Sequence, residues 1–287
     1  MKIITDSRCT EYGQAGHPER PERVSRTVEK LREQKDVVIE WAEPLKVADE
    51  VILRAHSPEH VAKIKAGAYD FDSDTPAYSK IYDHAVRSVG GALQALTAAR
   101  AGTANFSLLR PPGHHATRDR AMGFCYFNSV AIAALEALAT GAKNVAIFDF
   151  DVHHGNGTEA LLLDRPHCAY FSVHQYPAYP GTGTRSFKNS FNHPMPPGST
   201  REAYRGALSQ ALDEIKKFKP DLIGVSAGFD AYRRDPLCDE PMEAEDYYWV
   251  GQMVRKFDVP AFSILEGGYS NDLPDLILAY LKGLSEK

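Results

Sequence analysis

The chain lacks the features that would place it outside the cell or in a membrane. Only four of its 287 residues are cysteine (Cys9, Cys125, Cys168 and Cys238), far apart and without a Cys-x-x-Cys pair. That spacing argues against a disulfide scaffold and for a reducing, intracellular setting. No apolar run approaches the ~20 residues a bilayer span needs; the longest, from 121 to 135, has 15 residues and contains Asn128 and Ser129. The opening MKIITDSRCTEYG has an apolar stretch too short for a signal peptide. A block of one charge sign is also missing: 33 basic residues against 38 acidic give a net charge of −5, which argues against a non-specific nucleic-acid binder. Glycine (21) and proline (18) are too few for a low-complexity or collagenous chain. With no Ser/Gly-rich linker and no internal repeat, residues 1–287 read as one domain, expected in the cytoplasm and with no membrane partner.

What is present is an ordinary apolar fraction of 43% and an uneven distribution of histidine: six of eleven lie within 114–174, in part as the adjacent pairs His114-His115 and His153-His154. Around them run short, nearly continuous apolar segments of the kind that form buried parallel strands: Lys2–Thr5, Asn105–Leu109, Asn144–Phe150, Cys168–His174, Asp221–Ser226 and Val259–Leu265. Helical stretches are expected between them over about 20–35, 57–66, 79–101, 125–140, 200–218 and 243–257. Ser57-Pro58-Glu59 supplies a cap and a first-turn proline, and Ser199-Thr200-Arg201-Glu202 has capping-box spacing. Alternating strands and helices predict a three-layer α/β fold with a mostly parallel sheet.

Five polar clusters fall at the carboxyl ends of these strands: Arg110–His115, Asp149–Gly155, Ser172–His174, Gly228–Asp230 and Glu266–Tyr269. In open α/β sheets that edge binds ligands. Asp151 and His153, two apart in extended chain, point the same way and can reach one ion. With Asp230 they make an Asp/His/Asp set suited to zinc or ferrous iron, with a position left for water or substrate. Taken alone an Asp-x-His is more often a surface loop; Asp149 in the same strand end shifts the balance, because three polar groups ending an apolar strand are hard to satisfy without a cation. His114 and His115 follow a Pro-Pro-Gly entry and are candidates for proton transfer, with Asp149 and Asn156 available to orient their rings. Tyr269, after two glycines, can present a phenol to a developing oxyanion.

Together Arg110-Pro-Pro-Gly-His-His-Ala116, Gly123-Phe-Cys-Tyr-Phe-Asn128, Asp149-Phe-Asp-Val-His-His-Gly-Asn-Gly157, Tyr179-Pro-Gly-Thr-Gly183, Ala227-Gly-Phe-Asp-Ala231 and Glu266-Gly-Gly-Tyr269 resemble the histone deacetylase and acetylpolyamine amidohydrolase family, in family order from His17-Pro-Glu-Arg-Pro-Glu-Arg23 onward. The resemblance implies an arginase–deacetylase fold and zinc-dependent hydrolysis of an acetylated amine, such as an acetyl-lysine peptide. By position it makes Asp151, His153 and Asp230 the zinc ligands, His115 the general base and acid, His114 its companion bonded to Asp149, and Tyr269 the group that polarises the acetyl carbonyl. It makes Gly123, Phe124 and Tyr179 the channel, Tyr179 standing where the family usually has Phe, with Leu237 at the mouth and Asp74 on the rim. It also implies a structural potassium ion at Asp149, Asp151, His153, Ser172 and Val173. Arg110-Pro-Pro-Gly, Asn156 and Glu266 resemble class II members; Leu237 resembles their lysine deacetylases, whereas polyamine deacetylases carry an acid there, a role Asp239 and Glu240 keep open.

Two rivals stand beside this. A ureohydrolase of the same fold uses two manganese ions and an Asp-x-His-x-Asp run, but Gly155 occupies the last Asp position. An acyl-chain binding module without turnover would not need His115 and Tyr269. Blander expectations cover the rest: His56, His60 and His84 as surface or partly buried helix residues, His154 as a packing or hydrogen-bonding neighbour, and Trp41, Tyr247, Tyr248 and Trp249 as packing aromatics.

Overall fold

The computed structural model describes residues 1–285. Eight strands form one sheet, every pairing parallel: β1 Lys2–Ile4, β2 Glu40–Ala42, β3 Asn105–Ser107, β4 Val145–Asp149, β5 Cys168–Gln175, β6 Ser190–Met195, β7 Leu222–Ala227 and β8 Ala261–Leu265. Their order is β2-β1-β3-β8-β7-β4-β5-β6. Strands β4, β5 and β7 are buried at every residue, as expected of strands covered on both faces.

The flanking helices are α1 Glu22–Glu33, α2 Asp49–Ile52, α3 Pro58–Ala66, α4 Ile81–Arg100, α5 Ser129–Ala139, α6 Asn156–Leu162, α7 Arg201–Phe218, α8 Ala244–Arg255 and α9 Leu273–Ser285. The expected helices match to within a few residues, and the caps explain the starts. Ser57 accepts from the His60 N–H ahead of Pro58. At α7 the cap is Thr200, which accepts from the Ala203 N–H, while Ser199 donates to the Pro196 carbonyl; the capping-box expectation at Ser199 is therefore off by one. Asn128 caps α5 and also donates to the Ala116 carbonyl, tying that helix to the loop after β3.

Composition hid both edge strands, β2 and β6. The first has only three residues and an exposed start; the second carries His193 and Pro194, tolerable only because an edge strand has an unpaired side. The histidines expected at helix surfaces or partly buried go further inward: His56, His60 and His84 are all buried. His56 and His60 stack with centroids 4.9 Å apart; His56 hydrogen-bonds the Thr117 carbonyl and the Asn128 N–H, and His60 the Tyr126 carbonyl. They therefore pin both ends of the 117–128 segment. Burial lowers both rings' affinity for protons, His56 to about 3. Among the described residues no helix is long and apolar enough to cross a membrane.

Candidate active site

The five polar clusters come from β3, β4, β5, β7 and β8, and the sheet order makes these five strands contiguous. Loops more than 150 residues apart in sequence thus meet above the middle of the sheet.

At the centre, one ligand atom each from Asp151, His153 and Asp230 lie within 4.8 Å of one another, all three side chains buried. His153 Nδ1 is 3.3 Å from Asp151 Oδ1 and 3.0 Å from Asp230 Oδ2. Backbone N–H groups aim the carboxylates: Gly267 donates to Asp151 Oδ2 at 2.7 Å, and Val152 to Asp230 Oδ1 at 2.9 Å. Gly228 passes so close that a Cβ there would sit 2.1 Å from Asp151 Oδ2. Two fully buried carboxylates facing one imidazole leave uncompensated negative charge, which burial makes costly. One nitrogen and two oxygen donors around a common centre fit zinc or ferrous iron. The second ring nitrogen of His153 faces the Cys238 thiol at 3.5 Å.

The two adjacent histidines have different partners. His114 Nδ1 lies 3.2 Å from Asp149 Oδ2, which also accepts from the Tyr170 hydroxyl at 3.0 Å. His115 Nδ1 lies 2.9 Å from the neutral Asn156 Oδ1. Burial disfavours charge on both rings. At His114 the neighbouring Asp151 and Asp149 overcome it and raise the ring to about 10. At His115 burial is reinforced by His114 and His153, and the ring is pushed well below the ordinary histidine value. One ring of the pair is thus held charged and the other neutral.

Aromatic rings pack against this floor. The Tyr179 ring stands edge-on to His115 at 5.1 Å, and Phe124 edge-on to Tyr269 at 5.8 Å. Gly123, at φ +56°, lies under them; a Cβ would come 2.5 Å from the His115 ring and 2.9 Å from that of Tyr179. Phe124 itself adopts φ +68°, a strained conformation for a non-glycine residue, held by its N–H donating to Thr75 Oγ1 at 3.1 Å. Tyr179 and Leu237 are exposed and Tyr269 is buried. Asp74 lies near Phe124 through His17: its carbonyl meets His17 Nε2 at 3.1 Å, and the His17 ring packs on Phe124. Burial and Asp72 raise the Asp74 carboxyl to about 6. Glu240, by contrast, is buried and Asp239 exposed, so of the two acids after Leu237 only Asp239 faces solvent.

Of the residues singled out for a potassium ion, Asp149 at the end of β4 and Ser172 within β5 are register partners. Ser172 Oγ bonds His174 Nδ1 at 2.8 Å, and the Tyr204 hydroxyl reaches the Val173 carbonyl at 3.4 Å. His154, as expected, hydrogen-bonds Thr182 and faces Glu159.

With this geometry in place, the comparisons are decisive. The histone deacetylase domain family matches residues 17–283. The chain belongs to the histone deacetylase family. It is therefore a hydrolase of amide bonds. It is 37% identical to a probable deacetylase of Methanothermobacter thermautotrophicus, over 99% of this chain and 90% of that one. Among solved structures, the HD domain of HDA15 superposes with a TM-score of 0.92 at 31% identity, covering 100% of this chain and 91% of that one. Acetylpolyamine aminohydrolase from Burkholderia pseudomallei gives 0.92 at 27% identity, over 99% and 98%.

Sequence reasoning assigned no role to a set of buried charges that brace this deacetylase-family site. Arg110, at the root of the His114-His115 loop, is fully buried and pairs with Glu19, Nη2 to Oε2 at 2.7 Å. Arg23 bonds Glu19 at 3.2 Å, donates to the Gly268 carbonyl at 2.7 Å and to that of Glu266, and lies 4.8 Å from the Tyr269 ring centre. Asp235 accepts from the N–H groups of Tyr269 and Ser270 at 2.6 and 3.1 Å. The available signal was the run His17-Pro-Glu-Arg-Pro-Glu-Arg23, dense in charge just ahead of and into the start of α1.

Proposed function

We propose that the chain is a zinc-dependent deacetylase that removes an acetyl or short acyl group from a primary amine, acting on acetyl-lysine peptides or on small acetylated amines. The observation that carries this reading is the convergence of the buried Asp151/His153/Asp230 cluster with two histidines held by different partners, Asp149 and Asn156, and with the Tyr269 ring packed against Phe124. Asp151, His153 and Asp230 would hold the zinc ion, which when bound supplies Lewis-acid polarisation of the carbonyl and acidifies the attacking water.

The protein's own groups do the rest. His115, held neutral, accepts the proton of the attacking water and returns it to the departing amine. Asn156 fixes the orientation of that ring, and His114, paired with Asp149, keeps positive charge beside the developing oxyanion. Tyr269 donates its O–H to the carbonyl oxygen as negative charge develops there. Phe124 and Tyr179 grip the aliphatic stem and exclude water. A potassium ion at Asp149, Asp151, His153, Ser172 and Val173 would brace the strand ends, and the Asp149–Ser172 register supports it. Ferrous iron would suit the same donor set, and the four free, buried cysteines suit the reducing cytoplasm.

A second substrate reading has its own support. Asp74, with Asp72 beside it, lies near Phe124 through His17, and Asp239 follows Leu237 as an exposed acid; a cationic polyamine tail would be drawn to such carboxylates, although Leu237 takes the position where polyamine deacetylases carry an acid. The ureohydrolase rival loses ground, because a Cβ at Gly155 would lie 2.3 Å from Asp149 Oδ2, leaving no room for a further ligand carboxylate. The discriminating experiment is kcat/KM across acetyl-lysine peptides, acetylated polyamines and longer acyl-lysines, with zinc or ferrous iron restored after chelation. Turnover of acetylated amines with one catalytic metal per chain is expected. A metal-loaded enzyme that hydrolyses none of them would overturn the reading.

A further inference from the structure

The sequence marks Glu266 only as a subtype residue, yet the fold places its carboxylate where two reacting groups are joined. Glu266 is fully buried at the end of β8, three residues before Tyr269. Its Oε2 accepts from the Gly113 N–H at 2.7 Å and the His114 N–H at 3.1 Å; Oε1 lies 3.4 Å from the Ser226 hydroxyl. Those two N–H groups belong to the peptides that lead into the His114-His115 turn, 152 and 153 residues away in sequence. On its backbone side, the Glu266 carbonyl is held by Arg23, which also holds Gly268. The turn that carries Tyr269 and the turn that carries His115 therefore share one carboxylate.

We infer that Glu266 is a positioning residue that sets the distance between His115 and Tyr269, and so the geometry in which proton transfer and carbonyl polarisation act on one substrate atom. The inference rests on the deacetylase reading and deepens it. One carboxylate oxygen that accepts from two consecutive N–H groups fixes the peptide planes of Gly113 and His114, and the rings can rotate only about what those planes allow. No other side-chain acceptor is recorded for either N–H among the described residues, so removing the carboxylate leaves two buried donors without a partner and frees the turn.

The test compares Glu266→Leu, Glu266→Asp and Glu266→Gln. Glu266→Gln keeps an oxygen at the same reach, and kcat should stay within about fivefold of wild type, the scale of a weakened rather than a lost hydrogen bond. Glu266→Leu removes the acceptor and Glu266→Asp withdraws it by one methylene; each should lower kcat by roughly 10²-fold, the usual result of ångström-scale misplacement, with KM changing less than about threefold. Metal content should remain at the wild-type level in all three. In a Tyr269→Phe background the loss from Glu266→Leu should shrink to below about threefold, because residues that act through one geometry are non-additive. Hydrogen exchange of the peptide spanning 110–116 should accelerate in Glu266→Leu and Glu266→Asp and not in Glu266→Gln.

Equal losses in the Gln and Leu variants, full additivity with Tyr269→Phe, or faster exchange without a fall in kcat would each overturn the positioning role. If Glu266→Leu does not fold, Glu266→Asp carries the comparison. Absence of wild-type turnover on every acetylated amine would instead overturn the deacetylase reading, while the exchange measurement would still report whether Glu266 clamps the turn.

Discussion

Replacing Glu19 by glutamine tests whether the site rests on a buried electrostatic frame. Glu19 and Arg110 have side-chain exposures of 3% and 0%, and Arg23, at 2%, faces the same carboxylate. Two guanidinium groups thus depend on one anion. Arg110 would keep its carbonyl acceptors at Cys9 and Tyr12, 2.8 and 3.3 Å away, and its stacking 4.2 Å from the Tyr12 ring centre. The compensating charge would be gone. Breaking a buried pair from one side costs about 3–5 kcal/mol, against a total stability of roughly 5–15 kcal/mol. At about 2–4 °C per kcal/mol for chains of this order of size, the melting temperature should fall by roughly 6–20 °C.

The pH dependence has a defined sign. Burial alone would raise the Glu19 carboxyl, but Arg110 and Arg23 outweigh it and hold the group below its ordinary value of 4.5. Such a group stabilises the fold above its unfolded value, and the contribution is lost as pH falls through the native one. The gap between wild type and Glu19→Gln should therefore be full at neutral pH and narrow as the pH falls below 4.5. Urea unfolding followed by circular dichroism at several pH values measures it. A gap under about 1 kcal/mol at pH 7, the worth of a surface pair, would refute the reasoning, as would a gap that widens on acidification.

His115→Ala and Tyr269→Phe should each reduce turnover of an acetyl-lysine reporter by about 10²-fold or more, the usual worth of one acid–base or oxyanion group; near-normal activity in both would remove them from the chemistry. Gly228→Ala should expel the metal, because its Cβ would lie 2.1 Å from Asp151 Oδ2; elemental analysis of the folded variant should find the site depleted, and full occupancy would contradict the cradle. Asp74→Asn should lower kcat/KM several-fold more for a substrate with a distal ammonium than for a neutral one, on the scale of an exposed charge contact of ~1 kcal/mol; equal losses would leave Asp74 without a role in charge recognition.

Much of this site was legible because its chemistry is local in sequence. Asp151 and His153 share a strand end, and runs such as Asn144–Phe150 and Asp221–Ser226 announce buried parallel strands by composition alone. Asp149 and Asn156 were named as available partners for the two rings, the resemblance implied the pairing of His114 with Asp149, and the structure brings His114 to Asp149 and His115 to Asn156. What escaped was non-local. The Glu19 partners, the Asp235 grip on the Tyr269 turn and the Glu266 clamp join segments up to 245 residues apart through buried charges, and composition assigns charges to the surface. The His56–His60 pair, expected on a helix surface or partly buried, is fully buried because its backbone partners at Thr117, Tyr126 and Asn128 are distant in sequence. Helix α6 was missed because it begins directly at Asn156, inside a motif read for its chemistry and not for its backbone.

The position of β8 has a consequence for how activity is acquired. Though last of the strands in the chain, it lies between β3 and β7 in the sheet. On one side, β2, β1 and β3 lead to the two adjacent histidines; on the other, β7, β4, β5 and β6 carry Asp151, His153 and Asp230. During synthesis the ion-binding trio is complete in sequence once β7 has emerged, but the two halves have no common strand until residues 261–265 insert between them, bringing Tyr269 on the following turn. Residues 261–267 thus join the two halves of the sheet and, through the Gly267 N–H on Asp151 Oδ2, also complete the support of the ion-binding trio.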